Sequence, residues 1–135
     1  MGSAADRGEG EGDGGDGAAE EGLPVKTIWY YSHKFGGSQF NLAMAVQRFA
    51  MLERKWSTKY PDRVLWAPWF ALARAGIDEP AAMHACWDDI TISHGIVLDF
   101  DGSPLSNGMQ AEHDAAKFAK KEILGVDGED FGEVT

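Results

Sequence analysis

The chain of 135 residues holds a single cysteine, Cys86. No intrachain disulfide can form, which fits a reducing, cytoplasmic setting, and Cys86 itself reads as a small buried residue on a helix. Base is also scarce, with 12 Lys and Arg against 22 Asp and Glu. Seven of those acids and one base, Arg7, fall in the first 24 residues, so the remaining body is only mildly acidic. A basic footprint for nucleic acid is therefore not expected. No apolar run approaches the ~20 residues that span a bilayer, so no membrane partner is expected. The phosphate-cradling GxxxxGK[ST] and GxGxxG patterns are missing, as is the GxSxG elbow of serine hydrolases. His33, His84, His94 and His113 are scattered without an HxxxH or HExxH pair, so no metal or other cofactor is expected. No internal repeat is visible.

Residues 1–24 hold eight glycines and no aromatic or β-branched residue. Such a segment buries too little apolar area to offset its ordering entropy and is expected to be a disordered acidic tail. It lacks the basic start and apolar centre of a signal peptide. One compact domain is expected over residues 25–126, with residues 127–135 frayed.

Within that domain the pattern alternates. Val25 to Tyr31 is a β-branched and aromatic run, a strand buried on both faces. Ser32 to Ser38 is a polar, glycine-containing turn, with Ser38 capping the next element. From Gln39 to Lys59, Leu42, Ala45, Val46, Phe49, Leu52 and Trp56 recur at three- and four-residue steps, one face of an amphipathic helix. Arg48, Arg54 and Lys55 fall on the other side as solvated charges. Arg63 to Ala67 is a second strand, and Trp69 to Ala75 a helical turn. A helix capped by Asp78, with Pro80 in its first turn, runs to Ile92 and places Met83, Cys86, Trp87 and Ile90 on one face. Gly95 to Phe100 is a third strand, Asn107 to Lys121 a helix opened by Ser106, and Ile123 to Val126 a short edge strand. Strands alternating with helices predict an α/β fold, a small flavodoxin- or Rossmann-like doubly wound parallel sheet.

A parallel sheet brings its strand C-termini to one edge. Three loops would meet there: Tyr30 to Ser38, Ala67 to Phe70, and Asp99 to Gly108. The first offers Tyr31, Ser32, His33, Lys34, Gly36 and Ser38 for a phosphate or a sugar hydroxyl. The third leads from Asp99, Asp101, Ser103, Ser106, Asn107 and Gly108 into the helix that carries Glu112. Glu112 stands among Gly108, Met109, Ala111 and Ala115, small or apolar neighbours that permit close approach. It is the leading candidate for chemistry.

An opening strand ending in tyrosine, a later Trp87-Asp88-Asp89 helix, a strand, and Ser106-Asn107-Gly108-Met109-Gln110-Ala111-Glu112 together resemble the nucleoside 2-deoxyribosyltransferase-like superfamily. That group includes deoxynucleoside monophosphate N-glycosidases and bacterial and phage families. The likeness runs from Lys26 to Lys120. It implies that Glu112 attacks the anomeric carbon of a 2-deoxyribosyl group, with Tyr30 (or Tyr31) orienting the carboxylate. It implies Asp88 or Asp89 for proton transfer at the base, and Ser106, with Ser32 or Ser38, for the 5′ substituent. The implied activity is hydrolysis or transfer of a deoxynucleoside N-glycosidic bond without a cofactor, by a homo-oligomer. Ser32-His33-Lys34 stands where the family has a glycine-serine pair. The competing expectation is a non-catalytic nucleotide-binding or interaction module, with Trp66, Trp69 and Trp87 forming a stacking pocket or a partner patch.

Overall fold

The computed structural model describes residues 25–77, 79–102 and 104–131. The acidic tail, the Asp78 cap, Ser103 and residues 132–135 lie outside the described residues. Among the described residues four strands and four helices follow in order: β1 (Thr27–Ser32), α1 (Gln39–Lys59), β2 (Arg63–Trp66), α2 (Trp69–Ala75), α3 (Glu79–Ile92), β3 (Gly95–Leu98), α4 (Asn107–Phe118) and β4 (Glu122–Gly125). The sheet is all parallel in the order β2-β1-β3-β4. This is the α/β architecture the alternating pattern predicts, and no helix among the described residues is long and apolar enough to cross a membrane.

β1 is central, and its registers fix both faces of the sheet. Tyr30 pairs with Trp66 on one side and Ile96 on the other, and Tyr31 pairs with Val97. Alternation along the strand sends Tyr30 and Ser32 to one face and Tyr31 to the opposite one. Tyr31 meets Phe49 of α1 and Phe70 of α2 edge-on, at 5.2 and 6.3 Å between ring centres. Tyr30 instead reaches α4. From Trp29 to Ser32 the strand is thus buried from both sides, while Ile28 at its start is exposed.

Local signals set the helix ends. Ser38 accepts from the Asn41 N–H and Ser106 from the Met109 N–H, satisfying donors that a helix start leaves free. Between Phe35 and Ser38 the chain makes a tight turn, closed by a 3.0 Å bond from the Ser38 N–H to the Phe35 carbonyl. Gly36 and Gly37 both take positive φ there, +55° and +76°, as a type I′ turn demands of its two central residues.

Three readings change. Arg48 is not a free solvated charge: its guanidinium grips Asp99 with two 2.7 Å bonds. Trp87 does not share the packed side of α3 with Cys86 and Ile90, and is half exposed. The C-terminal segment, expected to fray from Asp127, turns back as far as Phe131. Its Asp130 pairs antiparallel with Leu124, and the Phe131 N–H donates to the Ile123 carbonyl. Trp56 Nε1 and the Tyr60 hydroxyl tie α1 to the same return, donating to the carbonyls of Val126 and Asp127.

One position tests the register directly. A Cβ on Gly95 would stand 2.5 Å from the Glu122 carbonyl oxygen of β4 and 2.5 Å from the Trp29 ring. Neither can yield cheaply, because one is strand backbone and the other a buried indole. Gly95→Ala is expected to destabilise the fold by about 1–3 kcal/mol. A lowered urea midpoint with unchanged slope would register it; an unchanged midpoint would contradict the packing.

Candidate functional site

Glu112 lies two turns into α4, on the side that faces the sheet, and is only 7% exposed. Its two oxygens are separately held. The Tyr30 hydroxyl donates to Oε2 at 2.5 Å, and the Ser32 hydroxyl to Oε1 at 2.6 Å. Both donors come from one face of β1, two residues apart, so strand alternation alone delivers them to one carboxyl group. Cys86, from α3, stands at the same cavity wall as Glu112.

Burial pushes the Glu112 carboxyl up to about 7, against the opposing effect of the hydrogen bonds from Ser32, Tyr30 and Cys86. Those O–H donors favour the ionised form, since a carboxylate accepts at both oxygens whereas a protonated carboxyl must spend one as a donor. Tyr30 is held well above its ordinary value, by burial first and then by the charge of Glu112. Burial likewise pushes the Cys86 thiol up to about 12, with Glu112 adding to it. Tyr30 and Cys86 therefore stay protonated around neutrality, and Tyr30 donates to Glu112.

Glu112 forms part of the wall of a cavity of about 410 Å³. His33, Phe35, Gly36 and Gly37 reach it from the loop after β1, Trp69 from α2, and Ser106 and Gly108 from the start of α4. The three loops that a parallel sheet should gather at one edge do meet there. The wall is mixed: Phe35, Trp69, Leu72, Ile77 and Met83 are apolar, while His33, Gln39, Cys86, Ser106 and Glu112 bring polar atoms. The indole N–H of Trp69 donates to the Tyr31 carbonyl at 2.8 Å, which fixes the ring against the end of β1.

The remaining candidates separate into those at the cavity and those away from it. Tyr31 points through the opposite face, where its hydroxyl donates to Asp99 Oδ2 at 2.5 Å. Lys34 pairs with Asp101 at 3.0 Å with both side chains about half exposed, and does not line the cavity. Ser38 spends its oxygen on the α1 cap, and Asn107 is exposed at the first position of α4. Asp88 is exposed and Asp89 half-buried, and neither lines the cavity. Burial, then the charge of Asp88, raises the Asp89 carboxyl. Among the described residues no group of three or more His, Cys, Asp or Glu side chains is placed to hold a metal.

Sequence reasoning missed α3 as a wall. Ala82, Met83 and Cys86 line the cavity from one helical side, and the available signal was that Cys86 stands four residues after Ala82 and three after Met83. It also missed that Ser32 serves Glu112 directly rather than a ligand.

Compared with protein-family models, with curated proteins and with solved structures, the chain matches none.

Proposed function

We propose that the protein cleaves or transfers the N-glycosidic bond of a 2-deoxynucleoside or its 5′-monophosphate, with Glu112 as the nucleophile. The observation that carries this reading is the buried Glu112 carboxylate at the wall of a nucleoside-sized cavity, each oxygen fixed by a separate hydroxyl. Each oxygen accepts one bond and keeps a second lone pair for the anomeric carbon. Fixing the carboxylate beforehand removes rotational freedom that attack would otherwise have to quench. A covalent glycosyl ester then forms with inversion at the anomeric carbon, and its displacement inverts again, so the configuration is retained overall, as in two-step glycoside cleavage. Phe35 and Trp69, 6.1 Å apart between ring centres, supply an apolar end suited to a base, and Ser106 with Gly108 a polar end suited to the sugar.

The test is direct. Purified protein is incubated with a panel of deoxynucleosides and their monophosphates, and free base is followed by chromatography. Release is expected from the wild type. Because ionised Glu112 is the attacking form, kcat/KM is expected to rise about tenfold per pH unit below about 7. A flat profile from pH 5 to 8 would contradict Glu112 as the nucleophile.

A second reading draws on the placement of Asp88 and Asp89 away from the cavity wall. A site with no carboxyl group beside the leaving base among the described residues suits a module that holds a nucleotide without turnover. It predicts a raised melting temperature with deoxynucleotides and no base release.

A further inference from the structure

We infer that His33 is the proton-transfer catalyst of this site, giving a proton from Nε2 to the departing base and later taking one from the attacking water. The inference rests on the glycosyl reading of Glu112 given above.

His33 lines the same cavity as Glu112 and is 9% exposed. Its Nδ1 stands 2.8 Å from the Lys34 carbonyl oxygen. A carbonyl only accepts, so Nδ1 carries the hydrogen in the neutral ring and the lone pair falls on Nε2. Among the described residues Nε2 has no hydrogen-bond partner. A buried ring nitrogen at a cavity wall, with its tautomer set by the other nitrogen and nothing of its own to bond, is arranged for a ligand. The ring also lies nearly parallel to Tyr31, 6.3 Å between centres and 23° between planes. Tyr31 is itself anchored to Asp99, so the imidazole rests on a fixed plate.

The other polar side chains at the wall do not fill this role. Gln39 has no exchangeable acid near neutrality, Ser106 accepts from the Met109 N–H at the α4 cap, and the Cys86 thiol is pushed up to about 12. Imidazole is the side chain whose proton exchange spans neutrality.

The steps balance. A Glu112 oxygen bonds to the anomeric carbon as the C–N bond breaks, and the electron pair of that bond passes to the base, which takes the Nε2 proton of the imidazolium. Neutral Nε2 then removes a proton from water, the water oxygen bonds to the anomeric carbon, and Glu112 leaves with the ester electron pair. One water is consumed, and free base and sugar are released.

The experiment uses the full chain, 2′-deoxyguanosine and its 5′-monophosphate, and the N7-methyl counterparts of both. An N7-methylated base is cationic on the sugar and departs neutral, so its first-turnover release needs no proton. His33→Asn keeps an amide donor for the Lys34 carbonyl. It is expected to slow single-turnover release of guanine by about 10²–10³-fold while changing release of 7-methylguanine by less than about threefold. Glu112→Gln should lose both. An equal loss on methylated and unmethylated substrates would make His33 a structural or binding group, and no loss on either would remove it from the mechanism. Either result overturns the inference while leaving Glu112 in place. A wild type inert on all four compounds overturns the glycosyl reading and this inference with it.

Discussion

Glu112→Gln is expected to abolish turnover, by at least about 10⁴-fold in kcat, and at the same time to make the protein more stable at pH 8. The two effects share a cause. Burial raises the Glu112 carboxyl from its ordinary value of 4.5 to about 7 in the folded chain, so the fold favours the neutral form. The resulting stability is fully present below about pH 4.5 and is lost as pH rises through about 7. At pH 8 the wild type keeps a buried charge that glutamine never carries. At about 1.4 kcal/mol per pH unit the shift corresponds to roughly 3 kcal/mol. The amide gives back part of this, because its nitrogen cannot accept from a hydroxyl as a carboxylate oxygen does. A net gain of about 1–2 kcal/mol remains, seen as a rise of about 5–15 °C in Tm for a domain of this size. Melting at pH 5 and pH 8 checks it: the gap between variant and wild type should be small at the lower pH and open at the higher. A gap that does not depend on pH would mean that Glu112 is not held near neutrality. Stability sacrificed at a reactive group is the usual mark of a site kept for function.

Arg48→Ala is expected to cost about 2–3 kcal/mol, more than any other change of a half-exposed side chain in this protein. The Asp99 side chain is 2% exposed and the Arg48 side chain 46%. Removing the guanidinium leaves a buried carboxylate with the Tyr31 hydroxyl as its remaining side-chain donor, and an uncompensated buried charge is expensive. The solvent-facing half of Arg48 lets some water in, which keeps the figure below the full penalty for a sealed pair. The Asp99 N–H also bonds to the Ser32 carbonyl at 2.9 Å, so disturbance here reaches the strand that carries the Glu112 donors. Urea unfolding gives the magnitude. The double change Arg48→Met with Asp99→Leu should recover part of the loss, because no charge is then stranded. A single change that costs nothing would show the pair to be a surface contact.

The fold was legible because its signals are local. The aromatic and β-branched run of β1, the three- and four-residue steps of α1, and the serine caps of α1 and α4 each lie within a few residues of what they specify. The candidate site was legible in part for the same reason: a helix opened by Ser106 carries Glu112 to a predictable height above the sheet edge. What stayed hidden depends on partners distant in the chain. Arg48 sits on the margin of the apolar face of α1, and nothing within its own helix announces a carboxylate 51 residues away. Choosing between Tyr30 and Tyr31 requires knowing which side of β1 α4 covers, and period-two alternation marks both sides alike. The return from Asp127 to Phe131 is short and acidic, and its order comes from bonds to α1 and β4. Its composition therefore resembles a free end.

Tyr30 and Ser32 serve the Glu112 side of β1, while Tyr31 serves the Arg48–Asp99 side. The strand thus behaves like a reading frame with two messages interleaved. Substitutions edit one message at a time, so the pocket can diversify while the opposite network stands still. A one-residue insertion or deletion in β1 garbles both together, exchanging every side chain between the layers. Change in this segment is therefore confined to replacement at fixed length.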